Sequence, residues 1–282
     1  MNICITPAGA WGTALAIHLS RKGHVVTLVP HQLEEAMDMG RDRENRHFFP
    51  GFPFPADLQI GYELKPALME AQLCILAAPS RFLRAVCRKL RPQLDAATQL
   101  ECFITVCKGL EEETNALPGA ILQEELPDYP HAVLSGPTFA SQVAEGQPSA
   151  VVLASEAPES QRLNWQEAIS GVNLRVYTSS DLLGVELGGC LKNVYAIASG
   201  MCDGLGLRDN SKAALLTRAL HEMVRVGNAL GGQSETFYGL TGFGDLFLTC
   251  NGRESRNRTF GECFARGESV QSLLEERRMT VE

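Results

Sequence analysis

The chain has 282 residues, 45% of them hydrophobic and 21% charged, a globular composition far from disordered or fibrous extremes. A chain of this length usually divides its core, so two domains are expected. The net charge of −8 argues against a nucleic-acid partner, which requires a basic surface, and means that an anionic substrate must meet a local cluster of cations.

In chain order, short apolar runs at residues 3–6, 25–29, 73–77, 102–106, 132–134, 150–154 and 174–177 read as strands. Helical periodicity fills several of the gaps, for example 11–22 and 82–90. Strand–helix–strand repetition predicts an α/β, Rossmann-like domain with a largely parallel sheet covered on both faces, over residues 1–178. After Tyr177 the pattern changes: 181–200 and 209–230 read as long helices, with Ser179, Ser180 and Asp181 supplying N-cap chemistry for the first. Residues 236–250 are glycine-rich and read as irregular, and 255–266 reads as a helix. A smaller all-α domain over 179–282, carrying the substrate and catalytic residues, is therefore expected.

Nine cysteines show no C-x-x-C spacing, and the six histidines form no H-E-x-x-H string, so no metal site is expected. Cysteines such as Cys4 and Cys74 sit inside apolar runs and read as core residues in a reducing compartment. No apolar stretch approaches the roughly 20 residues a bilayer needs, so no integral membrane segment is expected and the reading is cytosolic.

The first strand runs into Pro7-Ala8-Gly9-Ala10-Trp11-Gly12 and then a helix, the spacing of a dinucleotide loop in its strand–loop–helix context. Gly9 would admit a pyrophosphate to the backbone, Gly12 would let the helix pack on the sheet, and the helix start supplies amides and partial positive charge. Pro7 stands where the first glycine is usual, and it fixes φ and removes a donor. The second strand ends in Val29-Pro30-His31-Gln32 without an acid to hold a ribose hydroxyl. His31 at this tip fits a 2′-phosphate or an adenine stack, favouring NADP somewhat; a surface histidine is the other reading.

Further strings follow in order. They are Thr105-Val106-Cys107-Lys108-Gly109-Leu110-Glu111, Leu134-Ser135-Gly136-Pro137-Thr138-Phe139-Ala140, and Gly184-Val185-Glu186-Leu187-Gly188-Gly189-Cys190-Leu191-Lys192-Asn193-Val194. Gly239-Leu240-Thr241-Gly242-Phe243-Gly244-Asp245-Leu246 comes next, then Leu248-Thr249-Cys250 and Ser255-Arg256-Asn257-Arg258. Together they resemble the bacterial NAD(P)-dependent glycerol-3-phosphate dehydrogenases across nearly the whole chain. The resemblance implies an oxidoreductase that interconverts sn-glycerol 3-phosphate and dihydroxyacetone phosphate, supplying glycerol 3-phosphate for phospholipid synthesis. It implies Lys192 as catalytic, and Lys108, Gly136, Thr138, Asp245, Ser255, Arg256 and Asn257 as substrate contacts. Ala10, Trp11, His31, Ala140 and Glu282 match cofactor contacts, with Lys108 and Arg256 also near the cofactor. Family members usually carry several more helices after the segment that ends here at Glu282, so the helical domain is expected to be shortened; homodimerisation is left open.

The residues themselves suggest the chemistry. Gly188 and Gly189 precede Lys192 on one helix and cost about 1 kcal/mol each relative to alanine, so they either clear space beside the lysine for cofactor and substrate or pack the helix tightly against the first domain with Lys192 solvated. A lysine at its ordinary pKa is roughly one part in 2,500 neutral at pH 7, and lowering it to about 7 takes about 5 kcal/mol. Partial burial and a cation such as Lys108 are expected to contribute to that shift. Lys192 then acts as general acid in reduction and general base in oxidation, while Lys108 polarises the carbonyl oxygen. Asp245, read in a loop, orients Lys192, receives substrate hydroxyls, or shapes a glycine turn. Ser255 caps a helix start whose amides, with Arg256 and Asn257, suit a phosphate, although a solvated helix start explains the same string. A dehydrogenase for another small hydroxy acid and a nucleotide-binding protein without turnover stand as alternatives; Cys250 as a nucleophile is a third.

Overall fold

The computed structural model describes residues 1–276. The chain begins β1 (Asn2–Thr6), α1 (Ala10–Arg21), β2 (Val25–Leu28), α2 (Leu33–Asp42), β3 (Glu44–Asn45), β4 (Phe49–Pro53), β5 (Gln59–Ile60) and α3 (Leu64–Glu70). It continues β6 (Leu73–Leu76), α4 (Ser80–Leu90), β7 (Cys102–Thr105), α5 (Pro118–Glu125), β8 (His131–Ser135), α6 (Ala140–Glu145), β9 (Ser149–Ala154), α7 (Glu159–Ile169) and β10 (Leu174–Ser179). The last part is helical: α8 (Leu182–Gly204), α9 (Asp209–Ala229), α10 (Ser234–Tyr238), a π-type turn at Leu240–Gly244, α11 (Asp245–Asn251) and α12 (Arg256–Ala265), before a further π-type turn.

Eight strands form one sheet in the order β10-β9-β8-β7-β6-β1-β2-β5. All its pairings are parallel except β8 with β9, where Leu134 faces Leu153, so β9 and β10 run against the others. Burial on both faces explains why the central strands read as unbroken apolar runs: every residue of β6 and β7 is buried. Alternation then divides each strand between two cores. Ile3, Ile5, Leu73, Ile75 and Ile104 pack with α1 and Trp165 of α7 on one face. Cys4, Cys74, Leu76 and Phe103 pack with Leu83 and Cys87 of α4 on the other. The chain is thus a Rossmann-like, largely parallel sheet followed by a helical part.

The sequence-based helices and long strands are found within a few residues of their expected ends. Of the three candidate caps before α8, Asp181 takes the role, accepting Gly184 N–H at 2.9 Å and also Gln233 N–H and the Thr236 hydroxyl. Residues 236–250 depart from expectation: apart from Gly239 they are helical, not irregular, and Asp245 opens α11 instead of lying in a loop. Among their glycines, Gly242 serves close packing. A Cβ on Gly242 would fall 2.0 Å from Phe237 O, so the side chain is missing because backbone occupies its place. The short β3–β4 hairpin and β5 carry no pattern long enough to register in the sequence. No helix among the described residues is long and apolar enough to cross a membrane.

Candidate active site

The chain passes β1, goes to β2 on one side, and later returns to place β6 on the other side of β1. Such a reversal opens a crevice at the carboxyl ends of parallel strands, where dinucleotides bind. A cavity of about 1480 Å³ lies there. At its wall α1 begins after Gly9, whose N-cap position has no side chain to occupy the first-turn amides. Those amides and the helix dipole suit a pyrophosphate. Gly12 stands behind the wall: a Cβ there would meet Pro7 O at 2.7 Å and Ala77 Cβ at 3.0 Å, so this glycine packs the helix onto the sheet. Ala10, Trp11, His31 and Ala140 line the cavity, and so does the exposed Phe48. A twelve-residue helix opening without a side-chain cap into a crevice of this size fits NAD(P). Glu282, expected beside the cofactor, lies outside the described residues.

The floor of the cavity is built on one carboxylate. Asp245, 1% exposed, accepts Lys192 Nζ on Oδ1 at 2.5 Å and Lys108 Nζ on Oδ2 at 2.6 Å. Lys108 also donates to Gly136 O at 2.9 Å. Gly136 sits at φ +150 with Val151 Cα 2.9 Å from where its Cβ would be, so only glycine presents its carbonyl this way. Thr249 Oγ1 donates to Asp245 O at 2.6 Å, and Asn193 Nδ2 donates to Lys108 O at 2.7 Å. Both lysines retain N–H donors beyond these contacts, because each ammonium carries three.

Burial pulls the Lys192 ammonium down to about 8; the Lys108 charge adds to the shift and the Asp245 carboxylate opposes it. Burial alone would raise Asp245, but the charges and hydrogen bonds of Lys108 and Lys192 outweigh it and hold the carboxyl below its ordinary range. Two ammonium groups on one carboxylate leave a net positive floor. The burial of Lys192 is more complete than expected, at 6% exposure.

Of the two readings of the glycines before Lys192, close packing describes Gly188, although Lys192 is buried and not solvated. A Cβ on Gly188 would lie 2.6 Å from Thr241 O, and one on Gly189 would lie 3.2 Å from Ser135 Oγ and 3.5 Å from Lys108 Cγ. Gly188 admits the backbone of the 240–244 turn, and Gly189 lies against the Ser135 hydroxyl with Lys108 in ordinary contact. Glycine at 188 is what lets α8 meet the backbone of the turn that leads into Asp245.

Across the cavity, Ser255 caps α12 by accepting Arg258 N–H at 3.2 Å. Arg256 is exposed to the cavity and Asn257 is buried beside it, with Oδ1 lacking a partner. A buried orphan acceptor at a cavity wall awaits a donor. Lys108, Thr138, Lys192, Ser255, Arg256 and Asn257 thus line one space, with Gly136 and Asp245 behind it. Cys250 is buried, and burial pushes its thiol up to about 12, which removes a thiolate nucleophile.

Residues 2–161 match the family model for the NAD-dependent glycerol-3-phosphate dehydrogenase N-terminus, and residues 181–282 match that for its C-terminus. The chain belongs to this family. It is 43% identical over 280 residues to glycerol-3-phosphate dehydrogenase (NAD(P)+) of Dechloromonas aromatica, covering 98% of this chain and 82% of that one. The corresponding protein of Janthinobacterium sp. is 44% identical with the same coverage. A crystal structure of glycerol-3-phosphate dehydrogenase from Coxiella burnetii superposes with TM-score 0.92 at 37% identity, covering 99% of this chain and 84% of that one. The family is an NAD(P)-dependent oxidoreductase family, and the largely parallel sheet followed by helices is its fold.

Two cavity residues escape the sequence reading. Asn193 fixes the backbone of Lys108, and Thr249 braces Asp245. Each lies within a string that carries the resemblance, next to Lys192 and Cys250 respectively. Neither residue type signals chemistry alone, because an amide and a hydroxyl acquire their role only from the groups placed opposite them.

Proposed function

We propose that this chain reduces dihydroxyacetone phosphate to sn-glycerol 3-phosphate with NAD(P)H and catalyses the reverse oxidation, supplying glycerol 3-phosphate for phospholipid synthesis. The observation that carries this reading is the meeting of Lys192 and Lys108 on buried Asp245 in the cavity that also receives Arg256. The bound nicotinamide supplies or accepts the hydride. Lys192 gives its proton to the developing alkoxide in reduction and takes it back in oxidation. Lys108 holds the carbonyl oxygen with a remaining donor and stabilises charge that grows there. Arg256 and the amides at the start of α12 take the phosphate, Asn257 Oδ1 accepts from a substrate hydroxyl, and Thr138 and Gly136 shape the wall beside it. Asp245 sets the position of both ammonium groups.

In this reading residues 1–178 bind the nucleotide and 179–282 supply most substrate contacts. NADPH is somewhat preferred, with His31 exposed at the adenosine end. None of the nine cysteines is in a disulfide, in keeping with a cytosolic location. The test is dihydroxyacetone-phosphate-dependent loss of reduced-nicotinamide absorbance, measured separately with NADH and NADPH, against 3-keto acids as alternative substrates. Turnover with the phosphorylated ketone is expected. Binding of NADPH without such turnover would refute the activity, and preference for an unphosphorylated keto acid would refute the substrate.

A further inference from the structure

Arg256 occupies the first position of α12, and the nearest acid along the chain is Glu254, two residues before it on the same cavity wall. An ion pair between them would cover the guanidinium and place negative charge where a phosphate arrives. The contacts run otherwise. Glu254 turns to α6, on the sheet side of the cavity: its Oε2 accepts the Ser141 hydroxyl and its Oε1 accepts Gln142 Nε2 at 2.8 Å. The ion pairs of α12 join Arg258 to Asp203 at 2.6 Å and to Glu262 at 3.1 Å, and Glu262 to Arg266 at 2.5 Å. Among the described residues no carboxylate is paired with Arg256.

We propose that Ser141 and Gln142 hold the Glu254 carboxylate away from Arg256 and thereby set the affinity of the site for the substrate phosphate. Hydrogen bonds to a carboxylate are stronger than most neutral ones, whereas an exposed ion pair is weak, so two neutral donors are enough to hold Glu254 against its neighbour. The donors being uncharged, they add no cation that would compete with Arg256 for the phosphate. Ser141 and Gln142 are positioning residues: they act on substrate only through Glu254. The inference rests on Arg256 as the phosphate contact.

The test compares native protein with the S141A/Q142A double variant, with E254Q, and with the triple variant that combines them. Freed from α6, Glu254 pairs with Arg256, and the double variant raises KM for dihydroxyacetone phosphate by about three- to fivefold, the scale of an exposed ion pair. Its kcat and its KM for reduced nicotinamide stay at native values, and the rise shrinks with added salt. Adding Glu254→Gln to the double variant restores native KM, and E254Q alone lies at or below it. An unchanged KM in the double variant overturns the proposal. So does E254Q matching the double variant while the triple shows no rescue, since the contact then merely anchors the loop.

Inorganic phosphate binding, measured by titration calorimetry on the same four proteins, must follow the same order. This arm does not need turnover. The expected order without ketone reduction would count against the proposed activity alone, whereas no phosphate binding by native protein would overturn the arrangement at Arg256.

Discussion

Lys192 and Lys108 share the carboxylate of Asp245, and that sharing determines how the site titrates. Burial favours neutral Lys192, and its ammonium sits at about 8 instead of 10.5. About a tenth of the lysine is then neutral at pH 7, against roughly one part in 2,500 for an ordinary lysine. Reduction uses the protonated form, so kcat/KM for dihydroxyacetone phosphate should fall as pH rises through about 8. Oxidation uses the neutral form, so kcat/KM for glycerol 3-phosphate should rise through the same interval; parallel profiles in both directions would contradict the acid–base role. Lys192→Met should lower kcat by at least about 10³-fold while calorimetry shows cofactor binding within about twofold of native, the upper part of the usual range for a lost acid–base group. Lys192 was legible because its string and its chemistry pointed the same way. Asn193 and Thr249 were not, since their partners, Lys108 O and Asp245 O, are set by the fold.

Glycine decides how the helices meet. On α8, a Cβ at Gly200 would lie 1.8 Å from Arg258 O, and on α12 one at Gly261 would lie 2.0 Å from Ile197 O. Backbone against backbone leaves no flexible group to move. Gly261→Ala should therefore destabilise the chain by about 2–3 kcal/mol, as overpacking does, despite alanine's better helix propensity; a denaturation midpoint at or above native would contradict this packing. The α8–α5 contact has a different character. Glu186 of α8 accepts Gly119 N–H at 2.6 Å, taking the place of a side-chain cap on α5. Burial raises its carboxyl from 4.5 to about 7, with the Gly119 hydrogen bond opposing. The folded chain therefore keeps this proton where the unfolded chain has lost it. Stability falls as pH rises from about 4.5 through 7, and the penalty is complete above that. Glu186→Gln keeps the acceptor and removes the charge, so it should stabilise by up to about 3 kcal/mol at pH 8 and by little at pH 4.5, read from urea midpoints at the two pH values.

At the scale of the molecule, a net charge of −8 coexists with a cavity whose floor is cationic and whose far wall presents Arg256. Lys108 leaves the sheet after β7, Lys192 projects from α8 and Arg256 opens α12, so the positive region exists only when the helical part is docked against the sheet. This division predicts separable losses. Arg256→Lys keeps the charge but removes the guanidinium fork that suits a phosphate. It should raise KM for dihydroxyacetone phosphate about 10-fold or more, with KM for reduced nicotinamide changing less than about threefold, consistent with the loss of a charge-assisted hydrogen bond. Equal losses for both ligands would argue that Arg256 serves the nucleotide as much as the phosphate.

The strands and long helices were set by local pattern. Buried parallel strands need apolar residues on both faces, and helices need a stripe at their own period, so both leave a record within a few consecutive residues. Lys192, Lys108 and Arg256 could be singled out for the same reason, each embedded in a recognisable string. Tertiary structure alone decided that Asp245 would carry both lysines, that Gly188 would admit the backbone of the 240–244 turn, and that the glycine-rich stretch before Asp245 would be helical. Those outcomes depend on atoms far apart in the chain coming within 3 or 4 Å of one another. A missing side chain looks the same in sequence whether a loop, a ligand or a neighbouring backbone fills its place.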